Sequence, residues 1–224
     1  MTPGREPRDY GPEVSPSAGR EMVRRSAELA ALLGKRRSIR SFGSSFIPLD
    51  VIKNCVSAAA SAPSGANDQP WSFVVVSDPA VKRAIRREAE AVEREFYERR
   101  VTAEWREKLR PLGTGPEKPF LEKAQYLVCV FVQRHGFDPR GKKVTHHYPV
   151  ESVGIAVGFL LCTLHMVGVS TLTYTPAPMT FLTDLLARPR NERPFLIVAA
   201  GRADEAWRPP PIAKKRESEY LTVL

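Results

Sequence analysis

Cysteine is scarce in this chain of 224 residues: Cys55, Cys129 and Cys162 are its three thiols, far apart, odd in number and set in apolar surroundings. That pattern excludes a secreted disulfide framework and reads as small core residues. Histidine is as sparse, and neither the adjacent His146 and His147 nor His135 and His165 offer the i, i+4 spacing of a helical metal site, so we expect no metal. No zinc-finger spacing or aromatic RNA-binding pattern accompanies the net charge of +9 and the pI near 9.7. The cations are scattered among Glu residues, which argues against nucleic acid and leaves an anionic small ligand as the better use of the charge. An unbroken apolar run is missing too. The most apolar segment, Val153 to Val169, contains Gly154, Gly158, Thr163, His165 and Gly168, and reads as a core or subunit-interface helix, not a membrane span. The beginning carries Pro, Gly and charge before any apolar run, unlike a signal peptide, so we expect a cytoplasmic protein with no membrane partner. There is no internal repeat, and no Gly-x-Gly-x-x-Gly marks a separate dinucleotide site.

What is present suffices for one sizeable core. Residues 1–18, rich in Pro, Gly, Ser and charge, read as a flexible arm, 19–206 as the folded domain, and 207–224 as an extended tail that needs another surface to lie on. Met22, Val23, Leu29, Leu32 and Leu33 fall on one side of a first helix running to about Gly34. A second helix begins near Pro48 with Val51, Ile52, Cys55 and Val56 inward and stops before Pro63. Ser72 to Ser77 reads as a buried strand, and Asp78-Pro79 as the cap and first position of a third helix reaching about Arg99. Further strands are predicted at Tyr126–Val132, Ser170–Tyr174 and Phe195–Ala200, with a long helix from about Glu151 and a shorter one around Phe181–Ala187. The fold class is α+β, helices flanking a central mixed β-sheet.

Two segments carry chemistry. Arg36-Arg37-Ser38-Ile39-Arg40 places three guanidiniums and a hydroxyl within five residues, enough to clamp a phosphate and the electron-rich edge of a planar heterocycle by fork-like hydrogen bonds. Ala62-Pro63-Ser64-Gly65-Ala66-Asn67-Asp68-Gln69-Pro70-Trp71 offers small residues and backbone N–H groups against which a flat ring such as a flavin can lie. Each has a plainer reading alone: a solvated basic face and an ordinary turn.

Together with Ser72-Phe73-Val74-Val75-Val76, these segments resemble the FMN-dependent nitroreductase superfamily, and Glu151-Ser152-Val153-Gly154-Ile155-Ala156, Thr173-Tyr174-Thr175-Pro176 and Arg188-Pro189-Arg190-Asn191-Glu192-Arg193-Pro194-Phe195 are similar to its iodotyrosine deiodinase branch. The likeness covers roughly residues 30–215 in the same order. It implies the nitroreductase-like fold in an intertwined homodimer with extended termini and two FMN sites, each built from both chains. Arg36, Arg37, Ser38, Ile39 and Arg40 would hold the phosphate, ribityl chain and pyrimidine edge; Pro63 and Ser64 would lie against the ring, and Thr173, Tyr174 and Thr175 would pass beside it. Thr175 would bring a hydroxyl near flavin N5 and is the candidate catalytic residue, and Lys214, or Lys215 with the tail shifted by one, stands where the family carries an Arg to the phosphate. Tyr174 replaces an often smaller residue, and we expect no counterpart of the animal enzymes' membrane anchor.

For the substrate, the resemblance assigns the zwitterion of an amino acid to Glu93, Tyr97 and Lys118, and the phenolate to the Ala66 N–H. Glu93 and Tyr97 are four apart on the predicted third helix and share a face, and Lys118 lies on a Gly- and Pro-containing loop. A carboxylate, an ammonium and a phenol complement an α-amino acid, although without the resemblance an ordinary charged helix surface, Glu88 to Arg100, accounts better for Glu93 and Tyr97. The function this implies is FMN-dependent reductive dehalogenation of halogenated tyrosines or similar halophenols. The alternatives are a broad NAD(P)H-dependent nitroreductase acting on nitroaromatics or quinones, with NAD(P)H as a candidate electron donor in either case, and a flavin-holding or FMN-consuming protein.

Overall fold

In a computed structural model that describes residues 19–224, the chain divides into two compact units, one ending at Arg36 and one running from Arg37 to Leu224. The arm expected at 1–18 lies outside the described residues. In the first unit, helix α1 (Gly19–Gly34) forms where the sequence predicts it, steadied by ion pairs of Glu21 with Arg24 and Arg25. None of its residues is buried, and Met22, Val23, Leu29 and Leu32 lie exposed.

The second unit alternates helices α2 (Leu49–Ala59), α3 (Pro79–Glu95), α4 (Ala103–Leu109), α5 (Phe120–Lys123), α6 (Pro149–Met166) and α7 (Phe181–Leu185) with strands β1 (Trp71–Val76), β2 (Tyr126–Gln133), β3 (His135–Phe137), β4 (Lys143–Thr145), β5 (Ser170–Tyr174) and β6 (Glu192–Gly201). The main sheet has the order β1-β2-β6-β5, and all three pairings are antiparallel. The parallel component of the expected mixed sheet is confined, among the described residues, to a single bridge between Ser38 and Thr171. β3 and β4 form a separate hairpin that the sequence reading did not anticipate, nor did it foresee α4 and α5.

Seven of the eight residues of β2 are buried, because both sheet faces are covered; hence its unbroken apolar run. Ile52, Val130, Val153 and Leu160 belong to the core beneath α2 and α6. Ile85, Phe131, Leu182 and Ile197 form the core on the other face, beneath α3, α5 and α7. Pro194 pairs with Phe131 where the β2–β6 register shifts, a bulge that accommodates a residue with no N–H to give.

α6 buries Ser152, Val153, Ala156, Val157, Leu160 and Leu164 along one face. By length and composition alone it could cross a membrane, with a mean hydropathy of 1.5. Its opposite face leaves Ile155, Phe159 and Met166 exposed beside Gly154 and Gly158. α3 starts as predicted, with Asp78 accepting from the N–H groups of Ala80 and Val81 and Pro79 in the first turn. It ends earlier than predicted, at Glu95, and gives way to a π turn over Phe96–Arg100. From Trp207 onward the chain forms no helix or strand apart from a 3-10 turn at Glu217–Glu219, and residues 211–224 are all exposed.

Candidate active site

The π turn sits where the binding residues were expected. Glu93 lies in the last turn of α3, Tyr97 lies in the wider turn that follows, and such single-turn expansions concentrate at functional sites. Thr102 then caps α4 by accepting from the Trp105 N–H, and Gly113 reverses the chain in the left-handed region at φ 59°. That reversal returns the chain to Lys118, whose backbone N–H donates to Glu90 Oε1 at 2.7 Å. Glu90 is pinned in turn by Arg86 at 2.6 Å. Burial pushes Glu90 up, but the Lys118 N–H and Arg86 outweigh it and hold the carboxyl below its usual range.

These elements enclose a cavity of about 400 Å³. Its polar lining is Glu93, Tyr97, Thr114, Lys118, Thr173, Tyr174 and Thr175, and its apolar wall includes Phe96, Trp105 and Leu109. Six of the residues singled out in the sequence therefore meet in one place. Phe96, Trp105 and Leu109 were missed; the adjacency of Phe96 to Tyr97 was the only signal.

Lys118 is the hub of the cavity. Its ammonium pairs with Glu93 at 3.1 Å, donates to the Gly115 carbonyl, and lies 5.6 Å from the ring centres of both Tyr97 and Tyr174. The side chain is only 4% exposed. Burial lowers its pKa, the Glu93 carboxylate opposes that, and the positive charge of Arg40 adds to the depression. Tyr97 donates to the Thr114 carbonyl at 3.2 Å, and burial raises its pKa.

Arg40 belongs to a strip sewn to the sheet by Ile39 N–H to the Thr171 carbonyl at 3.0 Å and Gly43 N–H to the Arg202 carbonyl at 3.0 Å. Ile39 and Phe42 point into the core, so Ile39 has only backbone to offer a cofactor, while Ser38 and Arg40 remain half-exposed. Among the described residues Arg40 has no carboxylate within ion-pair reach, and burial lowers its pKa. A half-buried guanidinium beside a buried ammonium and lacking an anion fits a phosphate- or pyrimidine-bearing group such as FMN. Arg37 spends one N–H on the Pro210 carbonyl at 2.6 Å, tethering the tail, and Arg36 ends the first unit. Lys214 is exposed on that tail.

Pro63, Ser64 and Ala66 do not line the cavity of this chain. They form a turn in which Ala66, Asn67 and Gln69 all take positive φ of 47–58°, a strained run held by its surroundings. Asp68 accepts from the His147 N–H at 2.8 Å, and that bond is the main reason its carboxyl stays below the usual range. Gly65 donates to Ser152 Oγ at 3.4 Å, and a Cβ there would stand 2.6 Å from the His147 carbonyl. Asp68, His147 and Ser152 are supports that the sequence reading assigned no role. Among the described residues no three His, Cys, Asp or Glu side chains gather as a metal site.

Comparison with known proteins agrees with this geometry. The Nitroreductase family model matches residues 33–202. Iodotyrosine deiodinase of Haliscomenobacter hydrossis is 47% identical over 203 residues, 91% of either chain, and human iodotyrosine deiodinase 1 is 40% identical over 92% of this chain and 71% of its own. A crystal structure of oxidized iodotyrosine deiodinase bound to FMN and 3-iodo-L-tyrosine superimposes with a TM-score of 0.75 at 33% identity, covering 88% of this chain and 97% of the other. A nitroreductase with bound FMN from Bacteroides fragilis shares the fold at a TM-score of 0.63 and 18% identity. Over the matched length and with the cavity residues in place, the chain belongs to the nitroreductase family and, within it, to the iodotyrosine deiodinase branch.

Proposed function

We propose that the protein is an FMN-dependent oxidoreductase that removes halide reductively from halogenated tyrosines. The observation that carries this reading is the meeting of Glu93, Tyr97 and Lys118 with Thr175 in one cavity. FMN would be held by Arg37, Ser38 and Arg40, with Arg36 and Lys214 toward the phosphate, Pro63 and Ser64 against the ring, and Thr173, Tyr174 and Thr175 alongside. Bound and reduced, it would supply the two electrons that, together with a proton, replace a carbon–halogen bond with carbon–hydrogen and release halide.

The chain's own residues do the rest. Glu93 exchanges its bond to Lys118 for the substrate ammonium, and Lys118 takes the carboxylate, so one buried ion pair becomes two at little cost in unpaired charge. Tyr97 adds a phenol to the same end, and the Ala66 N–H receives the phenolate, favouring the anionic ring. Phe96, Trp105 and Leu109 cover the aromatic body and exclude water. The Thr175 hydroxyl is exposed at the end of β5, free to donate to a flavin nitrogen as its electron density changes.

The functional unit is a homodimer in this reading. Support comes from the uncovered apolar face of α6, the exposed tail, and the distribution of expected flavin contacts between the cavity and the Pro63–Ala66 turn outside it. The free thiols accord with a cytoplasmic setting. The test is titration of the FMN-loaded protein with 3-iodotyrosine, following flavin fluorescence, in wild type, Glu93→Gln and Lys118→Ala. Tight quenching lost in both variants is the expected result. Turnover of a nitroaromatic with NADPH, without iodotyrosine binding, would favour the broad nitroreductase instead.

A further inference from the structure

Lys82, Arg86 and Glu90 recur every four residues along α3, with Glu93 three further on, so the four share one face of the helix. That face grips the returning chain rung by rung. The Lys82 ammonium donates to the carbonyls of Glu122 and Ala124 at 2.9 and 2.8 Å, Arg86 reaches the Glu122 carboxylate at 3.2 Å, and Glu90 accepts from the Lys118 N–H at 2.7 Å. Of the four, only Glu93 lines the cavity. The Glu90 side chain is 13% exposed, and Arg86 Nε stands 2.6 Å from the same oxygen that holds the Lys118 N–H.

The loop leading into Lys118 is loosely packed, since a Cβ at Gly113 or Gly115 would meet nothing within 4 Å. Its Thr114 and Gly115 carbonyls are bonded by the Tyr97 hydroxyl and the Lys118 ammonium, the two groups that the amino-acid reading assigns to the ligand. When a ligand draws them away, the Glu90 bond still ties the Lys118 backbone to α3. Nothing replaces that bond easily. Lys118 as a whole is 3% exposed, so its N–H has no water to turn to if the carboxylate is removed.

We propose that Glu90, braced by Arg86, is a positioning residue that holds the Lys118 backbone so that its ammonium stays in place for a ligand carboxylate. Glu90 thereby sets affinity for amino-acid ligands without touching them. The proposal rests on the amino-acid reading of the cavity, and it extends that site by a residue that sequence reading did not single out.

The experiment measures dissociation constants of 3-iodotyrosine and of 3-iodotyramine, which lacks the carboxylate, on the FMN-loaded wild type, Glu90→Ala, Glu90→Gln, Lys118→Ala and the double variant Glu90→Ala with Lys118→Ala. Glu90→Ala is expected to weaken 3-iodotyrosine by about tenfold, the loss of one hydrogen bond to a charged group, and to leave 3-iodotyramine within about twofold. Glu90→Gln keeps an oxygen for the Lys118 N–H and should recover most of the loss. With Lys118 already changed to Ala, the Glu90 substitution should cost no further affinity, because what it positions is gone. Equal losses for the two ligands, or an undiminished loss in the Lys118→Ala background, would show general damage to the fold and overturn the proposal, as would no loss at all. If Glu90→Ala does not retain FMN, Arg86→Gln is put through the same cycle, with a loss of about threefold expected and the same outcomes deciding. Wild type that binds both ligands alike would sink the amino-acid reading itself; a retained preference for 3-iodotyrosine separates that failure from failure of the Glu90 role.

Discussion

Lys118 shows how much a single side chain carries. Its ammonium is buried, paired with Glu93 at 3.1 Å and flanked by two tyrosine rings, so removing either partner strands a charge away from water. Glu93→Gln should cost about 2 kcal/mol of stability and roughly a hundredfold in affinity for an amino-acid ligand, whereas Glu93→Gln with Lys118→Gln together should cost less stability than the single changes summed. Denaturant melts of the three variants check the coupling. The pH dependence follows from the same burial. A ligand carboxylate needs protonated Lys118, whose pKa is lowered by burial, so affinity is lost as pH rises through that lowered value, before the pH of about 10.4 at which an ordinary lysine titrates. Folding moves the opposite way in that window, because the unfolded chain then binds the extra proton, so the lost affinity cannot be unfolding. Ligand titrations against pH, with Lys118→Gln lacking that part of the alkaline limb, decide the matter.

At the scale of elements, the helices and strands with a clear period were legible: the α3 cap at Asp78-Pro79, the buried run of β2 and the α2 face of Ile52 and Cys55 form as the sequence predicts. The loop supports were not, because their reason lies in distant chain. Nothing local to Gly65 demands glycine, since its φ is ordinary; the His147 carbonyl demands it. Gly65→Ala should therefore displace the turn that carries Ala66, at a cost of about 2 kcal/mol, and lower flavin content. Thermal melts and flavin absorbance read both effects. The π turn at Phe96–Arg100 was equally hidden, since a four-residue spacing between Glu93 and Tyr97 is compatible with an uninterrupted helix.

The whole molecule leaves Ile155, Phe159 and Met166 uncovered along α6, a face that water does not favour and a second copy would cover. Phe159→Asp is expected to yield monomers that retain little FMN, which light scattering and flavin absorbance on the same sample would detect; dimers with full flavin would contradict the shared-site reading. The sequence alone determined α1, α2, α3, α6 and α7 and the four strands of the main sheet, because periodicity and capping chemistry are written locally, while Glu93, Tyr97, Lys118 and Thr175 were joined in one candidate site by the resemblance to a known family. Tertiary structure decided the rest. That Lys118 pairs with Glu93, that Arg40 has no carboxylate within ion-pair reach among the described residues, and that the Tyr174 ring packs edge-on against Phe120 all depend on which distant surfaces fold together. Burial and charge are set by those surfaces, and no local pattern in the chain encodes them.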